Sequence, residues 1–468
     1  MHFASLDFLI FLPLTLLIYW AVPVKYRNVV LLVSSLAFYA SWRVSYLPLL
    51  LVVVIFAWLS GILLHNSRGL VGRRLLTLSV LGLLVPLVVV KYQRWLAESA
   101  TSFLLLLGIE FDIPQVDVEL PLGISFFTFQ VVAYVVDVYR GSEAEKSPLK
   151  FITFITFFPQ LISGPIVRSK DLLPQLSSPR WLKRGDIGSG LFRIGSGMVK
   201  KLIIADTLKV GIVGPVFFEP SSFTGLEVLI ALYAYTLQIY CDFSGYTDIA
   251  LGASKLFGIN LPENFRRPYK SASVAEFWRR WHITLSDWVR DYVYFPLGGS
   301  RVTSEWKVYR NIIITLVVIG LWHRASWMLV VYGLLHGCAV SINRWRRKRS
   351  KSSGEPVGFA LWWRIALTFH FVVFARILFR SENMSTAQEI LQAVSHQSML
   401  LPRFSATAMV ILFAGYALHF TPRVWVDSVG NRFAVSGPGL WAVCLGIVGG
   451  LGVLFGSGQM LAFEYYQF

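Results

Sequence analysis

Residues 8–24 read FLIFLPLTLLIYWAVPV and carry no charge between Asp7 and Lys25. Four further runs, 28–42, 75–90, 404–422 and 433–463, also lack Asp, Glu, Lys and Arg. A membrane-spanning helix needs about 20 mostly apolar residues. These runs therefore predict an all-α protein that crosses a membrane several times, with tilted or re-entrant helices where the runs are short.

The composition supports the same class of protein. Apolar residues make up 55% of the 468 residues and charged residues only 15%, whereas soluble domains carry about 25% charged residues. The formal net charge is +17, but the basic residues cluster in short loops and no nucleic-acid recognition module is visible. We expect a single membrane domain over residues 1–468 that contacts lipids and binds no nucleic acid.

The loop charges predict the topology, because cytoplasmic loops of membrane proteins are enriched in Lys and Arg. Residues 1–7 contain neither, whereas Lys25, Arg27, Arg68, Arg73 and Arg74 follow the first and third predicted spans. The basic tract Arg344–Arg349 is expected in the cytoplasm, with later spans near 361–380, 404–422 and 437–460. Both termini then lie in the periplasm or outside the cell, and the chain forms about ten to twelve transmembrane helices.

Residues 139–310 differ from the rest, because they hold most of the acidic residues and many Gly and Pro. Irregular backbone at membrane depth is tolerated only inside protein or beside a water-filled cavity. This region therefore predicts surface-lying and re-entrant helices around an enclosed cavity. No internal repeat is visible, which argues against common transporter folds.

Three of the eight histidines, His282, His323 and His336, are the candidates for chemistry. An ionisable residue at membrane depth is a functional candidate by default. Imidazole moves a proton near neutral pH, and acyl transfer to a hydroxyl needs such a base. A structural, hydrogen-bonded histidine has the same sequence pattern, so the residues alone leave both interpretations open for His323.

Two other chemistries lack support in the sequence. There is no HExxH motif, and the three cysteines are scattered, which argues against a zinc site. There is no GxSxG nucleophile elbow. We expect Ser244, in the sequence DFSG, to lie at a polar break between membrane helices.

Several motifs occur together in the middle of the chain. They are WRRWHITLS at 278–286, WVRDY at 288–292, PLGG at 296–299 and LWH at 321–323, preceded by PLGISF at 121–126, SGP at 163–165, QIYCDFSGYTD at 238–248 and PENF at 262–265. In this order they resemble the membrane-bound O-acyltransferase (MBOAT) family, most closely its bacterial branch of alginate-type polysaccharide O-acetyltransferases. The resemblance places a signature core at about 120–345, and C-terminal helices with an aromatic tail at 361–468.

The resemblance implies a helical funnel in which His323 is catalytic and His282 is the second active-site residue. It implies transfer of acetyl from a cytoplasmic donor, acetyl-CoA, to an extracytoplasmic polysaccharide such as alginate, with no bound cofactor or metal. A secreted or periplasmic SGNH-type acetyltransferase is the expected partner, and the bacterial inner membrane the expected location. The family usually has Gly after the catalytic histidine, so Arg324 leaves the local helix packing and the donor specificity open.

Alternatives of two kinds remain. Within the family, they are D-alanyl transfer to teichoic acid and acetyl transfer to peptidoglycan. Outside it, the chain would transport an acyl carrier without chemistry.

Two further sets of residues are predicted to serve the reaction. Arg279, Arg280 and Arg290 are candidates for binding the phosphates of CoA, because a guanidinium donates hydrogen bonds in pairs. Lipid contact, or pairing with nearby aspartates, is the alternative for each.

The C-terminal sequence FEYYQF at 463–468 resembles an acyl-transfer tail, with Tyr465, or else Tyr466, as the relay. An interfacial aromatic anchor explains the same residues.

Overall fold

The computed structural model describes residues 3, 5–115, 118–349, 357–395 and 402–455. Throughout these residues the regular structure is helical, without a strand, which confirms the all-α prediction. The chain divides into two compact units, the first comprising 1–2, 6–181 and 257–261, the second 3–5, 182–256 and 262–468. The predicted single domain stays a prediction.

The first unit contains α1 (Leu6–Ala21), α2 (Arg27–Ala40), α3 (Leu47–His65), α4 (Gly69–Leu87), α5 (Gln93–Leu106), α6 (Ile124–Tyr139), α7 (Pro148–Thr156), α8 (Phe158–Leu161) and α9 (Ser169–Ser177). A π-helical segment, Val88–Tyr92, joins α4 to α5, and 3₁₀ turns precede α2 and α3 at Val24–Tyr26 and Val44–Tyr46.

Aromatic rings and two buried arginines hold the first unit together. The rings of Phe8 and Phe38 pack on the ring of Phe158 at centroid distances of 6.3 and 5.5 Å. Arg180 Nε donates to the hydroxyl of Tyr19 at 2.6 Å, and Arg27 donates to the carbonyl oxygen of Arg180 at 2.8 Å. Because buried charges are tolerated only with hydrogen-bond partners, these contacts tie α1 and α2 to the chain that follows α9.

The second unit contains α10 (Arg184–Met198), α11 (Asp206–Leu208), α12 (Gly214–Phe218), α13 (Gly225–Leu256), α14 (Val274–Trp278), α15 (Ile283–Val289), α16 (Glu305–His323), α17 (Trp327–Arg349), α18 (Gly358–Arg380), α19 (Met384–Val394), α20 (Ala406–Phe420), α21 (Arg423–Val435) and α22 (Pro438–Phe455). Further π-helical segments are Val199–Ala205, Lys209–Val213 and Arg290–Tyr294, and 3₁₀ turns are Pro220–Ser222 and Pro268–Lys270.

Helix α13 is the longest helix of the described chain, with 32 residues, and it forms the core of the second unit. Ion pairs fix it to the segment Val199–Ala205, which follows α10: Lys201 Nζ lies 2.7 Å from Asp242, and Lys200 Nζ lies 2.5 Å from Asp248. The expected break at Ser244 is wrong, because that residue lies inside this continuous helix. Its acidic neighbour Asp242 is compensated by a lysine, so the backbone has no need to open there.

Helices α16 and α17 pack as an antiparallel pair through glycines. A Cβ atom at Gly333 would lie 2.6 Å from the Cα atom of Val317, and a Cβ atom at Gly320 would collide with the carbonyl oxygen of Leu329. At the other end of the pair, Glu305 accepts from Lys348 at 2.5 Å. The close contact fixes the C-terminal end of α16, where His323 lies.

Four described helical stretches are long and apolar enough to cross a membrane, namely Val44–His65, Gly69–Leu106, Gly225–Leu256 and Gly358–Arg380. The pair Ala406–Phe420 and Arg423–Val435 meets at a 93° bend and makes one more broken span or a re-entrant loop. Shorter apolar helices cover Leu6–Ala21, Ile124–Tyr139 and Pro438–Leu454. A protein with several membrane spans is confirmed. The expected ten to twelve spans stay a prediction, since the shorter helices cross a bilayer only where it thins locally or where residues beyond their ends extend them.

Candidate active site

The site is built on a loop of the second unit whose two arms are joined by backbone hydrogen bonds. Arg266 N donates to the carbonyl oxygen of Arg280, and Ile283 N donates to that of Asn264, both at 2.9 Å. Arg267 and His282 adopt the left-handed backbone conformation, with φ of 50° and 43°. Non-glycine residues rarely occupy this region, and such strain clusters at functional sites. The paired arms therefore hold His282 in one strained, defined position.

His282 is fully buried and its ring is oriented by polar and aromatic contacts. Its Nδ1 lies 3.0 Å from Asn264 Oδ1. The ring meets the edge of Phe243 at a centroid distance of 4.8 Å and that of Trp322 at 5.4 Å. These contacts fix the imidazole plane in a site from which bulk water is excluded.

His323 is the last residue of α16 and is also buried. Its ring lies 5.1 Å from that of Trp322 and 5.3 Å from that of Phe379, centroid to centroid. The rings of His323 and His282 are 6.4 Å apart. The structure thus brings together the two histidines predicted from the sequence, although 41 positions (323 − 282) separate them; their catalytic role stays a prediction.

Arg324 leaves the helix and lies in extended conformation, with φ of −151°. Its NH2 group donates to the carbonyl oxygen of Ser381 at 2.6 Å and to that of Phe379 at 3.5 Å. The close packing of α16 on α17 is supplied by Gly320 and Gly333. The residue after the catalytic candidate therefore has room for a long side chain, which ties the end of α16 to the end of α18.

The third candidate histidine, His336, lies on α17 in a different environment. Trp278 Nε1 donates to its Nδ1 at 3.2 Å, and the ring of Tyr332 packs on it at a centroid distance of 4.3 Å. Two other histidines have hydrogen bonds to the backbone: His370 to the carbonyl oxygen of Ala366 in its own helix, and His419 to the N–H of Tyr269.

Arg376 is a residue of the site that the sequence analysis missed. It is 1% exposed, on the apolar helix α18, and its guanidinium carbon lies 4.5 Å from the ring centroid of Trp281 and 5.1 Å from that of Phe379. Trp281 directly precedes His282 in the sequence, and the ring of Phe379 packs against that of His323. An arginine within an apolar run is itself a signal, because a charge at membrane depth is expensive and usually functional.

The three predicted donor-binding arginines differ in their partners. Arg280 NH2 lies 2.6 Å from Glu276, and Arg290 pairs with Asp287 at 2.6 Å and with Asp291 at 2.8 Å. Arg279 is exposed.

The loop adds basic residues that the sequence analysis did not single out: Arg266, Arg267 and Lys270. Partial burial, followed by the charges of Arg267 and Arg280, lowers the pKa of Lys270 from its usual value. Arg267 NH1 is buried and has no hydrogen-bond partner among the described residues. These residues and their sequence neighbours Arg279 and Arg280 are named here the 266–280 patch; Lys270 is close enough to Arg267 and Arg280 for their charges to act on it, and such a concentration of basic residues is suited to an anionic ligand.

Tyr465, the predicted acyl relay, lies outside the described residues, as does Tyr466. Among the described residues, His, Cys, Asp and Glu side chains form no group of three or more that could hold a metal ion. The buried histidines offer proton transfer by imidazole between aromatic walls.

Comparison with known proteins identifies the family. Residues 145–378 match the MBOAT, or membrane-bound O-acyltransferase, family. The chain is 38% identical over 398 residues to a probable alginate O-acetylase of Azotobacter vinelandii. The aligned region covers 84% of this chain and 78% of that protein. It is 34% identical over 417 residues to a peptidoglycan O-acetyltransferase of Helicobacter pylori, with 82% and 77% covered. A teichoic acid D-alanyltransferase of Bacillus subtilis is 30% identical over 275 residues, with 55% of this chain and 68% of that protein covered.

These matches confirm the resemblance drawn from the motifs, since they span the loop with His282, the end of α16 with His323 and most of α18. The chain belongs to the membrane-bound O-acyltransferase family and is a multi-pass membrane O-acyltransferase.

Proposed function

We propose that this O-acyltransferase acetylates an extracytoplasmic polysaccharide, such as alginate or a similar exopolysaccharide. The observation that carries the proposal is the buried pair His282 and His323, whose rings lie 6.4 Å apart among aromatic side chains. Similarity to alginate O-acetylases over 84% of the chain supports acetyl as the acyl group and polysaccharide as the acceptor.

The chemistry follows from the neutral imidazole. His323 or His282 accepts the proton of the attacking hydroxyl, while the hydroxyl oxygen forms a bond to the acyl carbon. The bond from that carbon to the thioester sulfur then breaks, and the proton passes to the leaving thiolate. Aromatic rings around both histidines exclude water, which protects the acyl group from hydrolysis and strengthens local electrostatic interactions.

Acetyl-CoA in the cytoplasm is the proposed donor. The 266–280 patch supports an anionic donor, because arginine forks bind phosphate oxygens in pairs. Arg279, Arg280 and Arg290 remain candidates. A phosphate at Arg280 or Arg290 has to compete with the carboxylates that already pair with these arginines. Arg267 and Lys270 are therefore stronger candidates for binding the phosphates.

We further propose that the acyl group crosses the bacterial inner membrane and reaches a secreted or periplasmic SGNH-type partner, with Tyr465 as the relay. This requires the C-terminus to lie outside and the tract Arg344–Arg349 to lie inside, as the loop charges predict. Reporter fusions after Arg349 and after Phe468 test the orientation, which is overturned if the basic tract is found outside.

The alternatives differ in their support. Peptidoglycan acetylation retains the same acyl group, and the relative from Helicobacter pylori is similar over a comparable length. D-alanyl transfer is less favoured, because that relative covers only 55% of the chain. Transport without chemistry conflicts with membership of an acyltransferase family.

The experiment is His323→Ala, measured as O-acetyl content of the polymer and as protein accumulated in the membrane. We expect transfer to fall by about 10²–10⁴, the contribution of a general base. His370→Ala is the control, because His370 is exposed and its imidazole is hydrogen-bonded to a backbone carbonyl of its own helix. A His323→Ala protein that acetylates at the wild-type rate would refute the assignment.

A further inference from the structure

Asn264 contacts three consecutive residues of the opposite arm of the loop, beginning with His282. Its backbone carbonyl accepts from Ile283 N at 2.9 Å. Its side-chain oxygen faces His282 Nδ1 at 3.0 Å, and it accepts from Thr284 N at 3.3 Å and Thr284 Oγ1 at 2.9 Å. Asn264 and His282 are both fully buried.

These contacts determine which way the Asn264 amide points. The backbone N–H of Thr284 can only donate a hydrogen bond, so the amide atom that faces it must be the oxygen. An amide oxygen can only accept, so the His282 Nδ1 beside it must carry the hydrogen. In neutral imidazole the hydrogen occupies one nitrogen, which leaves Nε2 with its lone pair.

We propose that Asn264 is a positioning residue that holds His282 with its hydrogen on Nδ1 and its lone pair on Nε2. The inference rests on the proposed role of His282 in acyl transfer. In this form Nε2, on the side of the ring away from Asn264, accepts the proton of the hydroxyl as the new C–O bond forms. The other tautomer would present an N–H there and could accept no proton.

The same residue also maintains the strained backbone of His282. A left-handed non-glycine residue is strained and persists only where its surroundings fix it. Hydrogen bonds from Ile283 and Thr284 to Asn264 fix the two residues that follow His282. Asn264 therefore controls both where the imidazole lies and which nitrogen is basic.

The test compares Asn264→Leu, which removes the acceptor at similar volume, with Asn264→Asp, which keeps an acceptor oxygen. Transfer is measured with labelled acetyl-CoA in membranes that contain the full chain, and by polymer O-acetyl content in cells. We expect Asn264→Leu to lose about 10²–10⁴ of kcat, the range for a base held in the wrong protonation form. The donor KM should be unchanged, and Asn264→Asp should retain most of the activity.

A double variant separates positioning from a structural role. In a His282→Asn background, adding Asn264→Leu should cause no further loss of kcat, because the two residues act as one unit. A further loss comparable to that of Asn264→Leu alone overturns the inference, as does an Asn264→Asp protein that accumulates but is as inactive as His282→Asn. Asn343→Leu is the matched control, because the hydrogen bond that its side-chain oxygen accepts comes from the backbone N–H of Ala275.

The outcome for the proposed function is separate. If His323→Ala is inactive and Asn264→Leu has wild-type kcat, the positioning role fails and the acetyltransferase proposal stands. If His282→Asn has wild-type kcat, the role of His282 fails and the inference about Asn264 fails with it. If the enzyme does not accept labelled acetyl-CoA as its donor, polymer O-acetyl content in cells still measures the effect of each variant.

Discussion

The guanidinium of Arg324 donates a hydrogen bond to the carbonyl oxygen of Ser381, 2.6 Å away. Ser381 directly follows α18, whose last carbonyl groups lack partners within the helix. A cation at a helix C-terminus also interacts favourably with the helix dipole. The contact therefore links the residue after His323 to the end of the helix that carries Arg376 and Phe379.

Replacing Arg324 by Met, which keeps much of the length and removes the charge, should weaken this link. Hydrogen bonds to charged groups contribute about 1.5–3 kcal/mol, so we expect the detergent-solubilised variant to unfold several degrees lower in a thermal scan. Transfer should fall less than in His323→Ala, because both histidines remain. Arg346→Met, in the exposed basic tract, is the control; equal melting temperatures for the two variants would contradict the linking role.

Replacing His282 tests a base and a strained backbone together, so two variants are needed. His282→Ala adds the cost of a left-handed alanine, whereas asparagine tolerates this conformation. We expect both to lose transfer by about 10²–10⁴, and only His282→Ala to accumulate at a lower level. Membrane fractions are assayed for protein by immunoblot and for transfer in the same sample. Wild-type transfer by His282→Asn would exclude His282 from the reaction.

The 266–280 patch predicts a specific effect on donor binding. Arg267→Gln and Lys270→Gln should each raise the KM for acetyl-CoA about ten-fold, with little change in kcat, because each removes a charged contact to phosphate. Acetyl-pantetheine, which lacks the phosphates of CoA, is the matched substrate. The two variants should handle it as the wild type does. Equal KM increases for both donors would show that the patch acts on the fold and not on phosphate.

The C-terminal tail is tested by Tyr465→Phe, which removes only the hydroxyl. A relay needs that oxygen, and a phenol ester is a suitable carrier because phenolate, with tyrosine's pKa near 10, leaves more readily than an aliphatic alkoxide. We expect polymer acetylation to be lost while the protein accumulates normally. Tyr466→Phe is the paired variant, and it should be active if the relay is Tyr465. An interfacial anchor would tolerate both changes.

The motifs WRRWHITLS and LWH, in their order along the chain, identified His282 and His323 as candidates for one site, and the structure places their rings 6.4 Å apart. The glycines of α16 and α17 allow the close packing that fixes the end of α16, where His323 lies. The runs without charged residues predicted a helical membrane protein, because the length of an apolar segment can be read directly from the sequence.

Other features required the three-dimensional structure. Asn264 lies 18 positions before His282, and an asparagine in a loop gives no sign of which histidine it will orient. The break expected at Ser244 failed because the lysines that neutralise the acids of α13 come from another helix. The sequence left the helix packing at Arg324 open; in the structure the helix ends before it, and a C-terminal boundary is weakly encoded when no glycine or proline marks it.

The pairing of Lys200 and Lys201 with acids on α13 bears on how the chain enters the membrane. An aspartate at the centre of an inserting helix costs about 2.5–3.5 kcal/mol during translocation into the bilayer, and α13 contains Asp242 and Asp248. Helix α10 and the lysines after it leave the ribosome before α13. We therefore expect α13 to insert together with α10, as a hairpin in which Lys200 and Lys201 neutralise the acids, and a defect in α10 to lower the amount of protein that reaches the membrane.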